Sequence, residues 1–308
     1  MKSIVLIFPY FGKMPIQYSM WRISALNNQT IHFLFFTDAD IISESNIEVI
    51  KCSFKEFVDI VQSSFDFPIV LDRPYKLCEY KPAYGYILQK YIVGYDYWGF
   101  GDLDLVYGDI RSFLTDDILN KYKMFLGWGH LTLYHNDYDT NTYFMKRIDG
   151  YQFYKDAYTT SKITFFDEYD HKGTSDKWKE TRRKDCWLEI FFDNVSKPKQ
   201  SFHFISLTRG WKRVLFEYIN NKLYMIKVEN GKIVKKESLY AHFQHRGFMK
   251  DVVKNGYNHF LITPTMIIDY PKSFSLCRIK WYSRNRSWVT LYYRWKDRIK
   301  YKIKTLFN

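Results

Sequence analysis

Two patterns alternate along the first third of the chain. Short β-branched or aromatic runs at residues 3–8, 31–36, 47–52 and 95–100 read as strands. Residues 15–27 and 55–65 read as helices, the first with Tyr18, Trp21 and Ala25 at helical spacing. Lys81-Pro82 opens another, with proline just inside its start and Tyr84, Ile87, Leu88 and Tyr91 on one face. Such alternation predicts an α/β fold, a mostly parallel central sheet flanked by helices. In open sheets of this kind ligands bind beyond the carboxyl ends of the strands. Tyr10 and Phe11, Asp38 and Asp40, and Asp102 and Asp104 would therefore line one edge.

After Phe125 the pattern is less regular. Gly127 to Tyr134 suggests a strand, 149–180 loops and short helices, and 223–228 with 232–234 a hairpin turning at Asn230-Gly231. There is no repeat, low-complexity tract or clean linker. The expected organisation is one catalytic domain over 1–275 and a C-terminal segment over 276–308.

The densest chemistry lies in Gly101-Asp102-Leu103-Asp104, directly after an aromatic strand. Two carboxylates one residue apart can face a common ion where the backbone turns, and Mg²⁺ or Mn²⁺ prefers such hard oxygen ligands while keeping positions for phosphate oxygens. A cation on a diphosphate neutralises charge as the bond to a leaving nucleotide breaks. Tyr240-Ala241-His242-Phe243-Gln244-His245-Arg246 alternates as a strand would, so His242, Gln244 and Arg246 share one face.

The ordered set Phe8-Pro9-Tyr10-Phe11-Gly12, Phe36-Thr37-Asp38, Lys81-Pro82-Ala83-Tyr84-Gly85, Gly101-Asp102-Leu103-Asp104, Gly129-His130, Phe166-Asp167-Glu168 and His242-Phe243-Gln244 resembles bacterial GT-A-type glycosyltransferases of capsular and exopolysaccharide gene clusters. The resemblance spans about residues 1–250 and implies a GT-A-like catalytic domain using a UDP-linked hexose. Some members of that group are similar to galactofuranosyltransferases, which makes UDP-galactofuranose a candidate donor. By the same resemblance Asp102, Asp104 and His242 hold Mn²⁺ or Mg²⁺. Tyr10, Phe11 and Asp38 contact uracil and ribose, and Lys81 and Tyr84 reach the sugar or diphosphate. His130 meets donor or acceptor, and Gln244 and Arg246 suit the phosphates. An inverting transferase needs a carboxylate to take the acceptor proton; Asp167 or Glu168 is expected to supply it. The blander roles for these residues are loop caps, a solvated helix start and a surface acidic pair.

Composition adds aromatic surface and a charged tail. Aromatic residues make up 20% of the chain, suited to stacking on sugars and bases but equally to filling a core. Of the net charge of +13, the segment 278–304 contributes nine, through ten basic residues and Asp297. The body is thus only mildly basic, and no nucleic-acid partner is expected. In the tail, Trp288, Leu291, Tyr292, Trp295, Ile299, Ile303 and Leu306 follow helical spacing, with Arg294, Arg298 and Lys302 on another face. Such a helix suits an anionic inner leaflet, where lipid-linked saccharide acceptors would be presented. Its alternative is a helix packed on the catalytic domain.

Four dispersed cysteines without a CxxC pair favour reduced thiols, and the apolar run at residues 4–8 is too short for a signal peptide. The expected location is cytoplasmic, peripheral to the inner face of the membrane. Two other functions compete with this one. A haloacid-dehalogenase-like phosphatase would use Asp102 as nucleophile, but its motif belongs near the N-terminus. A non-enzymatic basic module binding membrane or nucleic acid explains the tail but not the acidic, aromatic core. No GxSxG, P-loop or complete GxGxxG occurs.

Overall fold

In the computed structural model the run IVLIFP forms β1 (Ile4–Pro9), with Ile4 to Phe8 shielded almost completely from solvent. The structure describes residues 1–147, 150–167, 174–195, 214–243, 250–284, 292, 295, 296, 298 and 299. Its chain gathers into two units, Met1–Met14 with Asn28–Asp102 and Leu114–Ile190, and Pro15–Asn27 with Leu103–Phe113 and Phe191–Asn308.

The first unit is built on a seven-stranded sheet. β1 pairs in parallel with β2 (Ile31–Thr37), which pairs with β3 (Ile47–Lys51); on its other side β1 pairs with β4 (Tyr97–Gly101). Beyond Asp104 the chain enters β5 (Leu105–Tyr107) of the second unit. It returns to this sheet as an antiparallel hairpin of β6 (Met124–Trp128) and β7 (Leu131–His135), with β8 (Cys186–Trp187) at the edge. The order is β3-β2-β1-β4-β7-β6-β8, so most neighbours run parallel, as expected. The buried strands are near-continuously apolar because helical segments cover them.

Helix Phe54–Gln62 starts at a capping box, in which Ser53 and Glu56 satisfy each other's backbone N–H groups, and buries Phe57 and Val61. The helix expected from Lys81 instead begins at Pro74, as a 3₁₀ stretch Pro74–Ala83 that passes into a single α-turn, Tyr84–Ile87. Pro74 suits the first turn, and Pro82 removes a donor an α-helix would use. A Cβ on Gly85 would lie 2.3 Å from the Trp98 ring, so only glycine lets this turn approach β4 so closely.

In the second unit helix Tyr18–Leu26 lies on β5: the Tyr107 N–H donates to Ser24 Oγ at 3.1 Å, and Trp21 meets the Tyr107 ring edge-on. β5 also pairs antiparallel with β13 (Tyr240–His242), which pairs in parallel with β9 (Asp193–Asn194). Between them in sequence come β10 (Leu215–Ile219), β11 (Lys222–Glu229) and β12 (Lys232–Ser238). With β14 (Lys250–Asp251), β15 (His259–Ile262) and β16 (Met266–Asp269) they make a six-stranded sheet. The β11–β12 turn has Asn230 at φ 48° and Gly231 at φ 74°, the two left-handed residues a tight hairpin requires. Helix Leu276–Tyr282, the start of the expected C-terminal segment, buries Ile279 with Leu215, Ile226 and Leu261. Among the described residues, no helix is long and apolar enough to cross a membrane.

Candidate functional site

In the first unit, β4 ends at Gly101 and delivers Asp102 to the sheet's edge. The Asp102 N–H donates to the carbonyl of His130 at 3.0 Å, extending the β4–β7 pairing by one residue. Lys81 Nζ donates to Asp102 Oδ1 at 2.7 Å and to the Gly129 carbonyl at 2.6 Å. One half-buried cation thus ties the 3₁₀ stretch, the end of β4 and the hairpin tip together. Burial opposes the charge on Lys81, but Asp102 and Asp167, with the hydrogen bond Lys81 donates to Asp102, outweigh it and raise its pKa. The ammonium therefore stays charged beside two carboxylates, where it is worth more than in water.

Asp167 is 6% exposed. It raises the pKa of the Cys78 thiol, which burial first and this carboxylate second push up to about 12. It also acts on Tyr75, whose ring is 69% exposed. Asp167 thus lies within electrostatic reach of Tyr75, Cys78 and Lys81, which recur every third residue along the 3₁₀ stretch.

In the second unit, β5 and β13 place His242 opposite Leu105, and the Phe243 N–H donates to the Asp104 carbonyl at 2.9 Å. This register sets His242 Nε2 3.2 Å from Asp104 Oδ1. Asp102 precedes Asp104 by two residues, and one ligand atom from each of Asp102, Asp104 and His242 lies within 4.8 Å of the others. Two hard carboxylates and one imidazole are a donor set that can hold a divalent cation and leave positions for oxygen ligands. The residues fit a divalent cation.

The other expected residues are distributed unevenly. Asp38 Oδ1 accepts from the Gly12 N–H at 2.8 Å, joining the loops after β1 and β2, and the Tyr10 hydroxyl donates to the Lys13 carbonyl at 3.0 Å within the first of them. Beside them, in the first unit, a cleft of about 470 Å³ is lined by Gly12, Lys13, Asp38 and Asp40, among others. Phe11 is buried against Phe54 and Phe57, behind this cleft. Tyr84 is also buried, its hydroxyl donating to the Leu77 carbonyl at 3.0 Å; it braces the 3₁₀ stretch from the core side. His130 is 4% exposed and stacks on Trp128. Glu168, Gln244 and Arg246 lie outside the described residues. Sequence reasoning missed Tyr75, Cys78 and Glu79, which share the 3₁₀ stretch with Lys81. A short-period helix starting at Pro74 would have brought them into view; nothing in the local pattern did.

The chain belongs to a family described as "Family of unknown function (DUF6625)", matched over residues 6–271. No curated protein matches it significantly. Among solved structures, mouse xyloside xylosyltransferase 1 in its apo form is similar at 10% identity and TM-score 0.40, covering 63% of this chain and 88% of that one. The glycosyltransferase GlyE of Streptococcus pneumoniae TIGR4 is similar in two structures. The apo form has 14% identity and TM-score 0.28, covering 46% of this chain and 35% of GlyE. The other has 13% identity and TM-score 0.29, covering 58% of this chain and 50% of GlyE. The chain thus spans half of GlyE or less, and likenesses this distant carry no function by themselves.

Proposed function

We propose that this member of the family is a divalent-metal-dependent glycosyltransferase that moves a hexose from a UDP-linked donor to a saccharide acceptor. The observation that carries the reading is the Asp102–Asp104–His242 cluster, reached from the carboxyl end of a central parallel strand. Mn²⁺ or Mg²⁺ held there would neutralise the donor diphosphate as it leaves. Lys81 orients Asp102 and adds a fixed positive charge on the same side. The loops after β1 and β2, with Tyr10, Asp38 and the cleft beside them, suit the nucleoside.

Asp167 is the proposed base. Its carboxylate takes the proton of the acceptor hydroxyl as that oxygen attacks the anomeric carbon. The bond from that carbon to the diphosphate oxygen breaks, its electron pair leaves with the nucleotide, and the configuration inverts. Galactofuranose is a candidate sugar on the sequence resemblance. For the acceptor we propose a growing cell-surface or lipid-linked saccharide at the inner membrane face. Exposure of Tyr292 and Trp295 on the basic tail supports that address.

Nucleotide release from a panel of nucleotide sugars, with Mn²⁺ and then with EDTA, tests the reading. Metal-dependent release from one UDP-sugar, stimulated by acceptor, is expected. Equal release with EDTA would remove the metal from the account.

A further inference from the structure

Two residues before Lys81, Glu79 makes a set of contacts that neither the metal cluster nor the cleft uses. Its side chain is fully shielded, as is that of Lys76. Glu79 Oε1 accepts from the N–H groups of Thr164 and Phe165, both at 2.8 Å. Oε2 accepts from the Thr164 hydroxyl and, at 3.4 Å, from the Phe166 N–H. Lys76 Nζ lies 4.0 Å from Oε2 and donates to the Lys162 carbonyl. Three successive backbone N–H groups converge on one carboxylate because Phe165 turns into the left-handed region, at φ 56°. Such a concave run of N–H groups is an anion-binding nest, here occupied by the protein's own glutamate.

A buried ion pair is a poor way to gain stability, since well-packed apolar residues often do as well. What it supplies is a fixed position. The clamped segment ends at Phe166, which is buried with its ring edge-on to Tyr158 and its carbonyl accepting from Thr174. The next residue is Asp167. The clamp thus joins the stretch that carries Cys78 and Lys81 to the loop that carries the proposed base.

We propose that Glu79 is a positioning residue for glycosyl transfer: by gathering the backbone of residues 164–166, it sets Asp167 against the Cys78–Lys81 face. The inference rests on the transferase reading, so its test includes a readout that needs no turnover. Glu79→Gln is compared with Tyr80→Phe. Tyr80 is an equally buried neighbour whose hydroxyl donates instead to the Val70 and Tyr158 carbonyls.

Steady-state kinetics, the pH profile of kcat, and mass-resolved alkylation of Cys78 without substrates are measured on both. In Glu79→Gln, kcat should fall roughly 10–100-fold with the donor KM little changed, as expected when a reacting group is displaced. The acid limb of the profile should move, and Cys78 should alkylate several-fold faster as the neighbouring carboxylate moves away, about threefold or more. Tyr80→Phe should show none of these changes. If Glu79→Gln does not fold, Thr164→Val, which removes the hydroxyl contact alone, should show the same changes in smaller measure. Wild-type kcat, pH limb and Cys78 rate in a folded clamp variant would overturn the inference and leave the transferase reading standing. Absence of transfer by the wild-type chain would instead sink that reading. The Cys78 rate would then decide the placement of Asp167 by itself, an unchanged rate refuting it.

Discussion

The two units present their polar residues by different means. In the first, Asp102 rides on the end of a strand buried on both faces, and Lys81, Gly129 and His130 tie it down through side chain and backbone alike. In the second, Asp104 and His242 meet through the register of two three-residue strands. A long parallel sheet fixes a group by depth of packing, whereas a short ladder fixes it by a few hydrogen bonds. The first arrangement holds one carboxylate through several partners; the second brings a carboxylate and an imidazole to 3.2 Å through few.

Mutations can separate these roles. Asp104→Ala should have the largest effect, lowering metal-dependent transfer by roughly 10³-fold or more while the melting temperature stays within a few degrees, because the side chain is partly exposed and its loss leaves no cavity. Circular-dichroism melts beside a nucleotide-release assay check this.

Gly85→Ala should destabilise the first unit by about 3 kcal/mol or more, since the new Cβ has only the Trp98 ring to displace. Denaturant titration reads it, and a wild-type midpoint would mean that the packing behind Asp102 is far looser than described.

Lys81→Met should lower turnover roughly 10–100-fold and leave manganese affinity within a few-fold, because the lysine orients a carboxylate without being a ligand. If manganese affinity collapses as well, the two regions do not act separately.

The smallest effect is on pH dependence in the second unit. Burial, opposed by the Ser238 hydroxyl and Lys236, raises the Asp193 carboxyl to about 6. A carboxyl raised in the folded state costs stability above its folded pKa, and the cost fades as pH falls from about 6 toward the unfolded value near 4. Asp193→Asn should therefore stabilise the protein by about 2 kcal/mol at pH 8 and by almost nothing at pH 4, which unfolding curves at both values test.

The comparison also explains what could be read in the sequence. β1 to β4 were legible because each is a local apolar run, and the Asn230-Gly231 hairpin because its turn needs those two residues. The acidic pair and His242 were legible as donor types, and their approach follows from register that no single segment encodes. β10, β15 and β16 escaped notice because strands of four or five residues acquire their identity from partners far along the chain. Tyr84 and Phe11 looked like ligand-facing aromatics, and their burial depends on neighbours sixteen and forty-six residues away that local spacing does not show. The Glu79 clamp was hidden for the same reason, its partners lying 85 to 87 residues onward.

Manganese binding measured by electron paramagnetic resonance, with and without UDP, tests the central claim most directly. The wild-type chain should bind one ion more tightly when UDP is present, and Asp104→Ala should bind neither ion nor nucleotide in a coupled way. Equal manganese binding by both proteins, unaffected by UDP, would contradict the account.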